Sequence, residues 1–250
     1  MSVQFKELTD YNEIQDYVRL HKEIFGLNDK DSYPASYFGM LIRNEHPLGM
    51  VIGCYINNKL EGMAVGTSSV FDKSIYIPFA GIKKQYQGGR IAANLFLYFR
   101  DKAFDKGFDS IYGIIDPLKA NVAKMHTLLG SKFFKTVDFV DDNQLLVKNI
   151  LFRLNKQTGT EQFSEYYKSD FLINNVKMVN KTGIRHKQIL FEIPNNFDYI
   201  KLENPEYAKN IRNESNEILS HYLNDNKYII TKCFSHTIEG LKRTFYLLEN

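Results

Sequence analysis

Cysteine is scarce in this 250-residue chain, which contains only Cys54 and Cys233. Two cysteines so far apart in sequence exclude a disulfide-rich scaffold and a zinc site built from clustered cysteines. The six histidines are scattered without the spacing of metal ligands, so we predict no metal site. This cysteine usage is typical of a reducing compartment, and we therefore expect a cytoplasmic protein.

Long apolar runs and an excess of one charge are also missing. The longest uncharged stretch, Pro47 to Asn58, has twelve residues, whereas a membrane-spanning helix needs about 20. The first residues, MSVQFKEL, lack the apolar core of a signal peptide. A net charge of +3 is too small to indicate a nucleic-acid-binding face. We therefore expect neither membrane insertion nor a nucleic-acid partner.

What is present is a globular composition, with 44% apolar and 24% charged residues, arranged as alternating strand and helix patterns. These patterns predict a mixed α+β fold. The predicted helices cover 11–25, 34–43, 91–103 and 121–129, and the predicted strands cover 3–8, 50–56, 61–70, 74–82, 110–115, 132–140 and 145–154. Gly26 is expected to end the first helix. Pro78 cannot donate a ladder hydrogen bond, which predicts an edge or an interruption in strand 74–82.

The polar segment 155–160 is the best candidate for a domain boundary. We therefore expect a first domain over residues 1–153 and a smaller α+β lobe over 154–250 that docks on it. In that lobe the patterns predict helices near 161–167 and 205–223 and strands near 175–179, 188–193, 228–233 and 244–248.

The most informative segment is a loop with two adjacent glycines, Lys83 to Arg90, between a predicted strand and an amphipathic helix. Helix starts leave backbone amides unpaired and carry a partial positive charge, so they bind anions. Gly88 and Gly89 allow the backbone to approach a phosphate closely, and the small residues that follow keep that approach open. The segment therefore predicts a pyrophosphate cradle. The alternative is an ordinary strand–turn–helix connection.

This loop resembles that of the GNAT superfamily of acetyl-CoA-dependent N-acyltransferases, whose pattern here is Gln/Arg-x-x-Gly-x-Gly/Ala. Gln87, Gly88, Ile91 and Ala92 match, whereas Arg90 stands where the pattern has glycine. The upstream run Ile82 to Tyr86 matches the family's apolar-x-Pro-x-Tyr/His run except at the proline.

A second stretch, Asn121 to Gly130, resembles the family's Asn…Leu-Tyr-x-x-Leu-Gly-Phe helix. His126 stands at the tyrosine position and Ser131 at the phenylalanine. The order of the predicted elements also matches over residues 1 to about 153. Later segments, among them Asp116-Pro117-Leu118 and Phe191 to Pro194, resemble a predicted subgroup of the superfamily with a C-terminal extension.

The resemblance implies acetyl-CoA, or another acyl-CoA, as the acyl donor. It implies that pantetheine lies along Ala80, Gly81 and Ile82 as an added strand, and that the loop residues Gln87, Gly88, Gly89, Arg90, Ile91 and Ala92 bind the diphosphate. Asn121 is implied as a further cofactor contact, with a helix N-cap as the alternative. A backbone amide near Ile82 is implied to polarise the thioester carbonyl.

Two residues are candidate catalytic groups under this resemblance. His126 could protonate the leaving thiolate, or it could only pack on its helix. Asp116 ends a strand and could be a general base, or it could only form the turn before Pro117. Glu61, at a strand start, is expected to be solvated. Three aromatic residues could clamp an acceptor or could only pack in the core: Tyr33, Tyr37 and Phe38.

Arg90 leaves two possibilities open, because its side chain could crowd the diphosphate or point outward and add a cation to it. The favoured function is transfer of an acetyl group to a small-molecule amine. The alternative is a non-catalytic module that binds acyl-CoA or a partner. A third possibility is an acyl carrier protein donor that docks on the Lys83-Lys84 pair. The C-terminal lobe could cover the acceptor site, mediate a homodimer or extend the sheet.

Overall fold

A computed structural model describes residues 1–43, 48–69, 72–140, 146–156 and 165–250. The chain divides into two compact units, Met1–Gly113 and Ile114–Asn250. Both units combine strands with helices, which confirms the predicted mixed α+β class.

In the first unit, five strands lie in the order β1-β2-β3-β4-β5. Neighbours from β1 to β4 are antiparallel, and β4 and β5 are parallel. The strands are β1 (Val3–Glu7), β2 (Gly49–Ile56), β3 (Lys59–Ser68), β4 (Ser74–Ile82) and β5 (Ser110–Ile115), and the helices are α1 (Ile14–Phe25), α2 (Ala35–Leu41) and α3 (Ile91–Asp105). These elements match the predicted ones to within a few residues.

Close helix packing explains two glycines in this sheet. A Cβ added to Gly81 on β4 would meet Ile24 and Phe25 of α1, and a Cβ added to Gly66 on β3 would meet Phe99 of α3. Gly81 pairs with Met63 on β3 and therefore faces the same side of the sheet as Met63. Met63 is three residues from Gly66, and successive residues of a strand face opposite sides, so Gly81 and Gly66 face opposite sides of the sheet. Therefore α1 and α3 cover opposite faces. Gly26 ends α1 in the left-handed region at φ 65°, as predicted.

In the second unit, the strand order is β7-β6-β10-β11-β9-β8. The strands are β6 (Lys132–Val140), β7 (Leu146–Asn155), β8 (Lys177–Val179), β9 (Gln188–Ile193), β10 (Ile229–Ile238) and β11 (Leu241–Glu249). The helices are α4 (Ala120–Leu128), α5 (Glu165–Asn175), α6 (Phe197–Glu203) and α7 (Pro205–Ser220), and a π turn over His221–Asp225 follows α7. Pairing is antiparallel except between β8 and β9.

The division into units falls within β5, earlier in the chain than the predicted boundary between 153 and 154. Strands β6 and β7 belong to the same compact unit as the C-terminal strands, because β6 pairs with both β7 and β10. The predicted boundary segment 155–160 lies mostly outside the described residues. The predicted helix near 161–167 also lies partly outside them, and the described helix continues to Asn175.

No helix in the described part of the chain is long and apolar enough to cross a membrane.

We predict that Gly49→Ala destabilises the first unit by about 3 kcal/mol, since overpacking costs of this order follow when backbone must move. A Cβ at residue 49 would overlap the backbone carbonyl of Gly66 and press on Leu41. Urea unfolding measures the change. Gly39→Ala is the matched control, because Gly39 lies in α2 and its added Cβ would make only ordinary contacts. Equal unfolding free energies for the two variants would contradict this packing.

Candidate functional site

Strand β4 is interrupted near its middle. The antiparallel register with β3 shifts between the pairs Val65↔Phe79 and Thr67↔Tyr76, so that β4 carries an extra residue there. Pro78 lies in this bulge and has no amide hydrogen to donate. The predicted interruption at Pro78 is therefore confirmed.

The second half of β4 has a backbone edge that no strand of the first unit covers. The parallel register with β5 runs from Ser74↔Ser110 to Ile77↔Gly113, and β4 continues beyond it to Ile82. Lys83 donates its amide to the Glu61 carbonyl on β3 at 3.0 Å. Because hydrogen bonding alternates along an antiparallel pair, the polar groups of Ala80 and Ile82 point away from β3. This edge can accept an extended ligand as an added strand.

The loop after β4 turns on a short 3₁₀ segment, Lys84–Tyr86, and reaches α3 through Gly88 and Gly89. Gly88 adopts φ 85°, which glycine favours. The Gln87 side-chain amide donates to the Ile82 carbonyl at 2.9 Å and ties the loop to the end of β4.

The start of α3 exposes a run of unpaired amides. Its first helical hydrogen bond joins the Asn94 amide to the Arg90 carbonyl at 2.9 Å, and Arg90 supplies no side-chain cap. Within the described residues, the amides of 88–93 donate to no protein acceptor. An added Cβ at Gly88 or Gly89 would meet nothing within 4 Å, so the space above the loop is open. Such an uncapped helix start favours an anion.

Arg90 itself is exposed to solvent, and none of the ion pairs between described residues includes it. Its backbone is helical, at φ −76° and ψ −5°, so the residue continues into α3 without the conformational freedom of glycine. Both possibilities that the sequence leaves open, the crowding side chain and the outward cation, therefore stay predictions.

Lys83 anchors the loop at its other end. Its ammonium nitrogen lies 2.9 Å from Glu23 Oε2 on α1 and 2.9 Å from Glu61 Oε2 on β3, and these hydrogen bonds raise the pKa of Lys83. Glu61 is buried, not solvated as we expected, because it is the extra residue of a bulge between β2 and β3. The Lys83 ammonium group is therefore neutralised by carboxylates of the protein itself. Lys84 is the exposed cation of the predicted pair.

The aromatic residues near α2 differ in exposure. Phe38 is fully buried in the core, and Tyr37 donates to or accepts from Thr67 Oγ1 at 2.8 Å. Tyr33 remains 39% exposed and stacks on Tyr37 at a centroid distance of 4.4 Å. Core packing thus accounts for Phe38, and Tyr33 is the most exposed of these three aromatic residues, although its ring also stacks on Phe79 at a centroid distance of 5.2 Å.

Asp116, in the second unit, holds a turn and an ion pair. Its Oδ1 accepts the Leu118 amide at 2.9 Å, which forms an Asx turn before α4. Both carboxylate oxygens also accept hydrogen bonds from the guanidinium of Arg212 on α7, at 3.2 and 2.8 Å. Because both oxygens are engaged in these contacts, the geometry favours the turn-forming interpretation.

His126, on α4, is buried at 5% exposure. Its ring packs on Phe152 at a centroid distance of 4.1 Å, and its Nδ1 lies 3.4 Å from Ser131 Oγ. Burial lowers the pKa of His126 to about 3, so the imidazole is neutral near pH 7. This environment favours the packing interpretation, and a catalytic role for His126 stays a prediction.

Asn121 is the second residue of α4 and is exposed. The N-cap position belongs to Lys119, so the alternative that Asn121 caps this helix is wrong. Its predicted contact with the cofactor stays a prediction. Among the described residues, no three His, Cys, Asp or Glu side chains form a group that could hold a metal ion.

Comparison with solved structures places these elements in a known fold. The chain resembles an acetyltransferase of the GNAT family from Streptococcus pneumoniae, with a TM-score of 0.54 and 10% identity over 62% of this chain and 99% of that one. The chain has the GNAT acetyltransferase fold. It also resembles an N-acetyltransferase from Staphylococcus aureus Mu50 (TM-score 0.52, 14% identity, 62% and 99% coverage). A third similar structure is the ribosomal-protein-S18-alanine N-acetyltransferase of Escherichia coli, with a TM-score of 0.51 and 10% identity over 65% of this chain and 99% of that one.

No protein-family model matches the sequence, and no curated protein matches it. Because the GNAT structures are covered almost completely while about a third of this chain lies outside the match, the chain carries an extension relative to them.

We predict that His126 makes stability fall as the pH is lowered. The folded pKa is about 3 and the unfolded pKa is about 6.5, so between these values the unfolded chain binds one more proton. Stability then rises with pH by up to about 1.4 kcal/mol per unit. Urea unfolding at pH 7 and pH 5 should show this slope in the wild type and a smaller one in His126→Phe. An identical slope in both proteins would show that His126 is not held neutral.

Proposed function

We propose that this protein is an acyltransferase that moves an acetyl or other acyl group from acyl-CoA to an amine of a small molecule. The observation that carries the proposal is the run of unpaired amides over 88–93, which directly follows the uncovered edge of β4. The GNAT acetyltransferase fold of the chain supports it, and the two features lie in one continuous segment of the first unit.

The residues present fit a coenzyme A molecule. A diphosphate needs several donors and a partial positive charge, and the α3 start offers both. A pantetheine arm needs an extended backbone partner, and the free edge of β4 offers the polar groups of Ala80 and the amide of Ile82, whose carbonyl already accepts from Gln87. The exposed Arg90 adds a cation beside the diphosphate. When bound, acetyl-CoA supplies an acyl group activated as a thioester.

The chain contributes positioning and electrostatics to the transfer. The Ile82 amide lies on the free edge of β4, where it can donate a hydrogen bond to developing negative charge. The acceptor amine must be neutral to attack, and its proton must then leave. Since Asp116 is paired with Arg212 and His126 is buried and neutral, we propose that water carries this proton. The nitrogen–carbon bond forms as the carbon–sulfur bond breaks, and water returns a proton to the departing thiolate, which leaves as the thiol.

A second candidate function is a module that binds acyl-CoA without turnover. The observation that favours it is that Asp116 and His126 are already engaged in structural contacts, Asp116 with Arg212 and His126 with Phe152. Titration with acetyl-CoA in a calorimeter, followed by thiol release across a panel of primary and secondary amines, separates the two. Saturable binding with thiol release supports the transferase, and binding without release from any amine supports the module. No binding of acetyl-CoA or of longer acyl-CoA thioesters would overturn both.

We predict that Gly88→Glu and Ala92→Glu each weaken acetyl-CoA binding at least tenfold, because each places a carboxylate and bulk at the unpaired amides. Calorimetric titration measures the affinity. Lys73→Glu is the matched control, since this exposed residue precedes β4 at the opposite end from the loop. If both loop variants bind as tightly as the control, the loop is not the diphosphate site.

For Arg90→Ala, we predict an affinity for acetyl-CoA that is severalfold weaker, with a larger loss at low salt, because an exposed cation beside phosphates acts over a Debye length. Arg90→Gly, which restores the family pattern, should weaken acetyl-CoA binding to the same extent as Arg90→Ala. Tighter binding by either variant would show instead that the arginine crowds the site.

A further inference from the structure

The turn between β5 and α4 is held by residues from the far C-terminal part of the chain. Arg212 on α7 makes two parallel hydrogen bonds to Asp116, and both side chains are largely shielded, at 20% and 25% exposure. Isolated surface ion pairs contribute little, but a bidentate and partly buried pair has a defined geometry.

Arg212 is itself fixed in place. Its guanidinium carbon lies 4.8 Å from the ring centroid of Phe197, the first residue of α6, and Phe197 is buried. This cation–π contact restricts the arginine rotamers, so less conformational entropy is lost when the guanidinium binds the carboxylate.

A second, independent contact comes from β11. Tyr246 is fully buried, and its hydroxyl donates to the Pro117 carbonyl at 2.6 Å. Burial raises the pKa of Tyr246 well above its usual value, so the hydroxyl remains a donor. Two consecutive residues of the turn, Asp116 and Pro117, are therefore each bound by a different C-terminal element.

The helix that follows the turn is held by β10. The Cys233 amide donates to Thr127 Oγ1 at 3.1 Å, and Lys124 Nζ donates to Ser235 Oγ at 2.9 Å. These contacts lie along α4, whereas the Arg212 and Tyr246 contacts lie before it. The C-terminal elements thus fix both the entry of α4 and its body.

We propose that Arg212 and Tyr246 are positioning residues that hold the turn 116–119 and, through it, the entry of α4 that presents Asn121. This inference rests on the proposed function, because Asn121 matters to acyl transfer only if it contacts the donor. It assigns a role to two residues of the second unit, on α7 and β11, which hold the turn before α4.

Backbone hydrogen bonds in this segment report directly on its order. The amides of Leu118, Lys119, Val122 and Ala123 donate to Asp116 Oδ1, Asp116 O, Lys119 O and Lys119 O, respectively. If Arg212 and Tyr246 only stabilise the fold as a whole, these amides will exchange no faster in the variants than the change in global stability explains.

The test is amide hydrogen exchange of the full chain, resolved over residues 116–123, in Arg212→Leu and Tyr246→Phe. We expect exchange at least fivefold faster than in the wild type. Arg243→Leu is the matched control, because Arg243 on β11 also binds a carboxylate, that of Glu192, with two nitrogens and lies 5.5 Å from the Phe245 ring, but does not contact the turn. Arg212→Lys keeps the positive charge but cannot make two parallel hydrogen bonds, so its exchange rate over 116–123 should lie between those of the wild type and Arg212→Leu.

Unchanged exchange over 116–123 in both variants, or the same change in Arg243→Leu, would overturn the inference. Calorimetric titration with acetyl-CoA on the same proteins provides the second measurement. We expect Arg212→Leu to weaken binding about fivefold, and affinity equal to that of the wild type would refute the link to Asn121. If the wild type itself binds neither acetyl-CoA nor a longer acyl-CoA, the proposed function fails, and the exchange result alone still decides whether Arg212 and Tyr246 hold the turn.

Discussion

Backbone groups that have no protein partner among the described residues are the constraint on which the candidate site depends. The bulge at Pro78 shifts the register of β4, the paired section with β5 ends at Ile77, and the loop then reaches α3 without capping it. Leaving such polar groups unpaired is tolerable where water or a ligand satisfies them. The same segment therefore places a free strand edge and an uncapped helix start in succession, and the proposed coenzyme A site depends on these two features.

Ionisable side chains that are engaged in contacts within the protein are not available for catalysis. Lys83, Asp116 and His126 each carry an ionisable group near a motif of interest, yet each is engaged in contacts that keep the fold in place. An acyl thioester is already activated, so an enzyme that mainly binds and orients its substrates gains much of the available rate. Backbone donors thus contribute more to the proposed site than a charged catalytic residue does.

The sequence predicted what local patterns encode and missed what long-range packing decides. The strands, the helices, the end of α1 at Gly26 and the interruption at Pro78 follow from periodicity and from glycine and proline chemistry. The burial of Glu61 could not be predicted, because it depends on a bulge that the partner strand creates. The bond between Arg212 and Asp116 joins positions far apart in sequence, and no spacing rule connects them. Helix α6 was also missed, although Asn196 is a side-chain cap that signals its start.

The central claim concerns specific amides, so the most direct measurement observes them individually. In a ¹⁵N-resolved NMR titration of the full chain with acetyl-CoA, the account predicts the largest amide shifts at residues 88–93, followed by Ala80 and Ile82. Saturable binding that leaves the amides of 88–93 unperturbed would contradict it.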